Sequence, residues 1–142
     1  MKRTIKSAIS VVFALVFIFA LVSCNTAEST NVWENATYLQ DKEFGSGAKT
    51  AIVEVKAEDQ LVTFTVKTDK ETVGEALLEH GLIAGEQGPY GLYVKSVNGI
   101  TADYDVNQAY WAFYINGEFA MTGVDQTKIA EGETYQLVYT KG

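Results

Sequence analysis

The alternation of apolar and polar residues from position 50 onward predicts short β-strands. Apolar side chains occupy every second position from 51 to 57 and again from 62 to 66, and many of them are β-branched. A period of two is typical of strands that bury one face. Glu58, Asp59 and Gln60 lie between the two runs and suit a turn. The pattern therefore predicts a β-hairpin.

One segment has the features of an α-helix. Thr72 precedes Glu75 by three positions, which is the spacing of a capping box. Gly81 occupies the place of a left-handed residue that ends a helix, with Leu82 able to fold back on the last turn. The apolar residues that fall on one helical face are Val73, Ala76 and Leu77. We expect a helix between Thr72 and Gly81.

The rest of the chain predicts further strands joined by tight turns. The composition of residues 85–91 indicates a loop. Asn98-Gly99 and Asn116-Gly117 are strong signals for two-residue hairpin turns. The predicted strands are 92–97, 100–104, 110–115, 118–121 and 134–140. These elements predict an α+β fold, a small β-rich domain with hairpins and one early helix.

The N-terminal residues indicate a secretory signal. Lys2, Arg3 and Lys6 precede an apolar run from 8 to 22, and this run is shorter than the roughly 20 residues of a membrane-spanning helix. The sequence Leu21-Val22-Ser23-Cys24 resembles a bacterial lipobox, in which the cysteine receives a diacylglycerol and becomes the new N-terminus. The resemblance implies a signal peptide over 1–23, lipidation of Cys24 and an extracytoplasmic, membrane-anchored protein. A transmembrane anchor is the alternative.

Composition divides the remaining chain into a tether and a domain. Residues 24–49 are mostly polar, so we expect a lipidated tether, followed by a folded domain over 50–142. Trp33, Tyr38 and Phe44 are unusual in a linker and indicate that part of it docks. Cys24 is the only cysteine, which leaves the domain without a disulfide.

The charge of the chain argues against nucleic acid as a partner. The sequence has 11 basic and 18 acidic residues, for a net charge of −7. Removal of residues 1–23 takes away three basic residues and changes the net charge to −10. An acidic domain repels nucleic acid and anionic membrane surfaces. We therefore expect membrane contact only through the lipid on Cys24.

The polar residues give no pattern typical of an enzyme. His80 is the only histidine, so a zinc site of the usual type is not expected, and its place at the predicted helix end suits a charge–dipole interaction. No nucleophile or phosphate-binding motif occurs. Asp103, Asp105 and Asn107 have the spacing of the first ligands in a calcium-binding loop, but the residues at the later positions of that loop do not fit the pattern. A polar connection and weak calcium binding both remain open there.

Aromatic residues concentrate between 90 and 119. On the predicted strand 110–115, Trp111, Phe113 and Ile115 share one face, and Tyr110, Ala112 and Tyr114 share the other. Exposed aromatic surfaces mark sites for ligands or partners. Either one of the two faces stays partly exposed, or both are covered.

Four segments together resemble a known family. They are residues 91–100 (GLYVKSVNGI), 110–117 (YWAFYING), 123–124 (GV) and 132–139 (GETYQLVY). Over about residues 63–141 the chain resembles the DUF4430 domain of bacterial surface proteins, which is similar to the C-terminal β-domain of transcobalamin and intrinsic factor. The resemblance implies a β-grasp or SLBB-like domain.

The resemblance also implies candidate ligand contacts. In the cobalamin carriers this domain covers one side of the corrinoid, and the matching positions here are Val94, Phe113 and Ala120. Trp111 is added because it shares a face with Phe113. The large helical domain of the carriers has no counterpart in this sequence, so a partner would have to supply the other half of the clamp.

These observations lead to two functional hypotheses. The first is a non-enzymatic, lipid-anchored module that captures a corrinoid such as cobalamin and passes it to a membrane transporter. The second is a surface interaction or adhesion module that docks a protein or a glycan. An accessory enzyme using the carboxylates of Asp103 and Asp105 is a third alternative. No catalytic residue and no resident metal are expected.

Overall fold

A long β-hairpin begins the central sheet. In the computed structural model, which describes residues 31–142, β1 is Lys42–Phe44, β2 is Lys49–Ala57 and β3 is Gln60–Thr68. β2 and β3 pair antiparallel along their whole length. Glu58 in the connecting turn has φ 53°. The predicted hairpin is confirmed.

The remaining elements follow in chain order. They are α1 (Val73–Glu79), β4 (Ile83–Gly88), β5 (Gly91–Val97), β6 (Ile100–Thr101), α2 (Tyr104–Asn107), β7 (Ala109–Ile115), β8 (Glu118–Phe119) and β9 (Thr134–Lys141). Two 3₁₀ turns lie at Val32–Asn35 and Val124–Gln126. Within residues 31–142, no helix is long and apolar enough to cross a membrane.

The strands form two sheets. The larger has the order β1-β3-β2-β9-β7-β8, and β9 runs parallel to β2 and antiparallel to β7. A last strand inserted parallel to the first strand of the hairpin is the arrangement of a β-grasp sheet. The smaller sheet is antiparallel, with the order β4-β5-β6. The predicted α+β class is confirmed.

The helix α1 begins and ends as the sequence predicts. The hydroxyl of Thr72 accepts a hydrogen bond from the Glu75 amide, and the Glu75 carboxylate accepts one from the Thr72 amide, at 3.2 and 3.1 Å. Gly81 has φ 65°, and the Leu82 amide donates to the Leu77 carbonyl at 2.9 Å. Both the capping box and the left-handed end of the helix are confirmed.

The core lies on one face of the larger sheet, beneath α1 and the smaller sheet. Directly paired residues on neighbouring strands share a face, as in the series Phe64, Val53 and Tyr135. The fully buried members of this face include Val53, Val55, Phe64, Val66, Tyr135 and Leu137. The opposite face of the sheet remains half exposed.

Residues 85–91 are not the loop that their composition predicts. β4 continues to Gly88 and pairs with β5, with a register shift between Ala84 and Gly85. A Cβ at Gly85 would collide with the Tyr93 carbonyl, so glycine permits the close approach of the two backbones. The glycines that suggested a loop serve the strand instead.

The N-terminal part of the described chain packs on the domain. Trp33 is buried, and its indole Nε1 donates to the Ala57 carbonyl at 2.8 Å. The rings of Tyr38 and Phe44 pack edge-on against Phe64, and β1 pairs with β3. Residues 31–49 of the predicted tether are therefore part of the folded unit, which starts before the predicted boundary at 50. The predicted signal peptide 1–23 and Cys24 lie outside the described residues.

Candidate functional site

Strand β7 directs Trp111 and Phe113 into the core. Their exposed fractions are 7% and 9%. The indole Nε1 of Trp111 donates to the Ile100 carbonyl in β6 at 3.2 Å, which places the ring under the smaller sheet. The sequence left open whether this face is partly exposed or covered. Because the second sheet covers it, Trp111 and Phe113 do not form an exposed surface.

The other face of β7 is the partly exposed one. Tyr110 and Tyr114 are half-buried on the outer face of the larger sheet. The ring of Phe119, paired with Tyr114 across β7 and β8, lies edge-on to it with 5.7 Å between centroids. Phe119 is 62% exposed. This outer aromatic face, formed by Tyr110, Tyr114 and Phe119, is open to a partner.

Val94 and Ala120 lie at the edge of the core. Both are half-buried and pack against the apolar cluster that contains Trp111 and Phe113. The Ala120 amide donates to the Phe113 carbonyl at 3.0 Å, and β5, which carries Val94, packs across β7. We call the half-buried Val94 and Ala120 the β5–β8 margin. Of the four residues predicted to contact a ligand, only Val94 and Ala120 are accessible in part.

Exposed apolar side chains lie next to the margin residues in the sequence. Met121 comes directly after Ala120 and is 95% exposed, and Tyr93 comes directly before Val94 and is 45% exposed. Tyr90, at the turn before β5, is 92% exposed. Sequence reasoning missed Met121, although an apolar methionine directly after the predicted contact position Ala120 was a usable signal.

Asp125 supplies a polar group beside the start of β5. Its Oδ2 accepts a hydrogen bond from the Leu92 amide at 3.0 Å. Its Oδ1 is buried and has no hydrogen-bond partner within residues 31–142. A Cβ atom added at Gly91 would lie 2.9 Å from Oδ1, and one added at Gly123 would lie 3.0 Å from it. Sequence reasoning missed Asp125, and the two glycines that make room for its carboxylate were the signal.

An ion pair lies on the outer side of the β4–β5 hairpin. Lys95 Nζ is 3.3 Å from Glu86 Oε1. The hydrogen bond and the charge of Glu86 raise the pKa of Lys95 above its ordinary value. Exposed charged groups thus lie close to Tyr93 on the same strand.

The acidic motif at 103–107 forms the helical turn α2 in the connection between β6 and β7. Asp103 Oδ1 accepts from the Asp105 amide at 2.9 Å, and Asn107 Oδ1 accepts from the Asp103 amide at 3.1 Å. These oxygens therefore cap the local backbone. No group of three or more His, Cys, Asp and Glu side chains suited to a metal ion occurs in residues 31–142.

The family of the chain follows from its sequence. Residues 70–141 match DUF4430, a domain of unknown function. The chain belongs to this family, as the resemblance predicted. No curated protein matches the chain.

Several solved structures share the fold, among them the following two. A candidate metal-binding protein from Ruminococcus gnavus ATCC 29149 is 34% identical, with a TM-score of 0.63, and the match covers 67% of this chain and 99% of that one. Haptocorrin in complex with Cbi is 16% identical, with a TM-score of 0.53, and the match covers 69% of this chain and 26% of that one. The chain thus corresponds to about a quarter of haptocorrin, and the similarity shows the transcobalamin-like fold.

Proposed function

We propose that the protein is a non-enzymatic, lipid-anchored module outside the cytoplasmic membrane that captures a corrinoid at the β5–β8 margin. The observation that carries this proposal is the half-buried apolar margin of Val94 and Ala120, followed in sequence by the exposed Met121. Small-ligand sites are mostly apolar with a few placed polar groups, and Asp125 lies nearby as such a group.

The fold supports a corrinoid as the ligand class. Haptocorrin, a structure with the same fold, contains Cbi, and a corrin ring is a wide, largely apolar disc that suits an apolar margin. Because this chain matches only part of haptocorrin, it would cover one side of the ligand. A partner protein or a membrane transporter would cover the other side and receive the ligand.

A calorimetric titration tests the proposal. The full-length chain in detergent is titrated with cyanocobalamin, and we expect a dissociation constant of about 10–100 μM for a one-sided site. Ala120→Glu places a carboxylate on the apolar margin and should remove the heat of binding. Ala130→Glu, at an exposed alanine in the turn before β9, is the matched control and should bind like the wild type. Absence of heat from the wild type at about 1 mM ligand would exclude corrinoid capture.

A surface interaction module is the second candidate function. It is favoured by the outer aromatic face, where Tyr110 and Tyr114 are half exposed and Phe119 largely so. Aromatic rings on an open sheet face can stack on sugar rings or pack on a protein. Under this hypothesis Tyr114→Ser abolishes retention of a partner in a pull-down, whereas Ala120→Glu leaves retention unchanged. The two variants thus separate the two functions.

A further inference from the structure

We propose that Asn116, in the turn between β7 and β8, is a site of covalent self-modification at which the side-chain amide is lost as ammonia. The chain has two Asn-Gly pairs in two-residue hairpin turns, Asn98-Gly99 and Asn116-Gly117. Both asparagines have φ 51° and follow a β-branched residue, so the two turns are closely matched in sequence and backbone. The contacts of the two side chains differ, and this difference assigns the modification to Asn116.

The reaction needs only the chain itself and water. The backbone nitrogen of Gly117 loses its proton and attacks the side-chain carbon Cγ of Asn116. A bond forms between these two atoms, the bond from Cγ to Nδ2 breaks, and ammonia leaves, which closes a succinimide ring. Water then opens the ring at either of its two carbonyl groups and leaves aspartate or isoaspartate at position 116. Glycine favours the attack because it has no Cβ to hinder its nitrogen.

The Asn116 turn is open to solvent. Asn116 and Gly117 are both exposed, and a Cβ added at Gly117 would meet no atom within 4 Å. Base can therefore reach the Gly117 N–H, and ammonia can leave directly into water.

The hydrogen bond of the Asn116 side chain favours the attack. The Thr134 amide donates to Asn116 Oδ1 at 2.9 Å. Negative charge develops on this oxygen as the Gly117 nitrogen adds to Cγ, and a backbone amide directed at such an oxygen stabilises the charge, as in an oxyanion hole. Nδ2 of Asn116 makes no hydrogen bond within residues 31–142, so no contact in this part of the chain retains the leaving group.

Asn98 is protected from the same reaction. It is 1% exposed, its Oδ1 accepts from the Tyr38 amide at 2.9 Å, and its Nδ2 donates to the Tyr38 carbonyl at 2.8 Å. A Cβ added at Gly99 would lie 2.6 Å from the Asn35 carbonyl oxygen, so the N-terminal segment covers this turn. Ring closure at Asn98 must break both hydrogen bonds within a covered turn, which makes it slow.

The modification changes the turn that positions β8. Both products place a new carboxylate two residues before Glu118. Isoaspartate also adds a methylene group to the backbone of the turn, and the length of a hairpin loop fixes the register of its strands. The pairing of Tyr114 with Phe119 depends on this register. We therefore expect isoaspartate at 116 to loosen the β7–β8 hairpin and with it the outer aromatic face.

Peptide mapping by mass spectrometry tests the assignment. The folded full-length chain in detergent is kept at mildly alkaline pH, and deamidation of each Asn-Gly pair is followed over weeks. We expect Asn116 to react at least about tenfold faster than Asn98. The same chain in guanidinium chloride is the matched control, because both pairs are then exposed and should react at similar rates. Equal rates in the folded chain, or deamidation at 116 only after unfolding, would overturn the assignment.

Two further measurements test the chemistry and its consequence. Asn116→Gln keeps an amide but moves it one methylene group away from the backbone, so the variant should show no deamidation at 116 over the same period. Deamidation at 116 in this variant as fast as in the wild type would exclude ring closure. In the isoaspartyl form, isolated by its added charge, the Ala120 amide that donates to the Phe113 carbonyl should exchange its hydrogen faster. Unchanged exchange would contradict the loosening of the hairpin.

Discussion

At the scale of single residues, Asn98 is the polar side chain that ties the N-terminal segment to the domain. It is 1% exposed, and its amide group makes two hydrogen bonds with the backbone of Tyr38, at 2.9 Å to the N–H and 2.8 Å to the carbonyl. The backbone carbonyl of Asn98 accepts a hydrogen bond from the Thr37 amide at 2.8 Å. A turn residue with φ 51° thus also serves as a clamp.

We expect Asn98→Gly to cost about 2–4 kcal/mol of unfolding free energy. Glycine keeps the positive φ of the turn but leaves two half-buried backbone groups of Tyr38 unpaired, each worth about 1–3 kcal/mol. Urea unfolding followed by tryptophan fluorescence measures the loss, because Trp33 and Trp111 are both buried.

The second Asn-Gly turn provides the control for this prediction. Asn116 has the same φ of 51°, but its side chain only accepts from the exposed Thr134 amide at 2.9 Å. Asn116→Gly should therefore cost about 1 kcal/mol or less. Equal losses for the two variants would show that the clamp on Tyr38 contributes nothing beyond turn geometry.

At the scale of elements, the capping box of α1 makes the helix sensitive to acid. The hydrogen bonds from the backbone and the hydroxyl of Thr72 lower the pKa of Glu75 below its ordinary value. A carboxyl group with a lowered pKa stabilises the fold when ionised. Its contribution is present above the pKa of the unfolded chain and disappears as the pH falls through the pKa of the folded protein.

We expect Glu75→Gln to reduce the loss of stability on acidification. Glutamine can still accept the hydrogen bond from Thr72 but carries no charge to neutralise. The variant should be less stable than the wild type at pH 7, and the difference should shrink below about pH 4. Urea unfolding at a series of pH values measures this.

Glu118→Gln is the matched control for the acid experiment. Glu118 is an exposed glutamate in β8 whose side chain makes no hydrogen bond or ion pair within the described part of the chain. Its substitution should leave the pH profile of the wild type unchanged. If the unfolding free energy of Glu75→Gln changed with pH in parallel with that of the wild type, the role of the ionised cap would be contradicted.

The elements that the sequence predicts correctly are those encoded within a few residues. The Glu58 turn, the two Asn-Gly turns and the capping box at Thr72 each depend on local spacing. The docking of Trp33 on Ala57 and of Tyr38 on Asn98 depends on contacts 24 and 60 residues apart, which no local pattern encodes. The same limit explains why the burial of Trp111 under β6 could not be predicted.

At the scale of the whole molecule, the two sheets decide which predicted site residues are accessible. Trp111 and Phe113 occupy the core, and Val94 and Ala120 occupy its margin. The family resemblance implied ligand contacts at Val94, Phe113 and Ala120, but a match of residue types cannot report how deeply each side chain is buried. The proposed ligand capture would therefore depend on the margin rather than on the rings of β7.

The proposed anchoring at Cys24 would determine where the molecule acts. Folded residues begin by Asn31, so only a few residues separate the folded unit from Cys24. Even fully extended, a chain spans at most about 3.6 Å per residue, so a lipid on Cys24 would hold the domain within a few tens of ångströms of the bilayer. A domain held this close can pass a ligand to a membrane transporter without diffusing through the medium.

We expect Cys24→Ser to release the protein from the membrane fraction. Each buried CH₂ of a lipid chain contributes about 0.8 kcal/mol, and two chains suffice for stable anchoring. In cells expressing the wild type, metabolic labelling with a fatty acid should mark the protein, and fractionation should find it in the membrane pellet. The Cys24→Ser variant should lose the label, whereas Ser29→Ala, a substitution nearby that spares the thiol, should keep it. A labelled Cys24→Ser protein would contradict lipidation at this residue, and an unlabelled wild type that still sediments with the membrane would favour a transmembrane anchor.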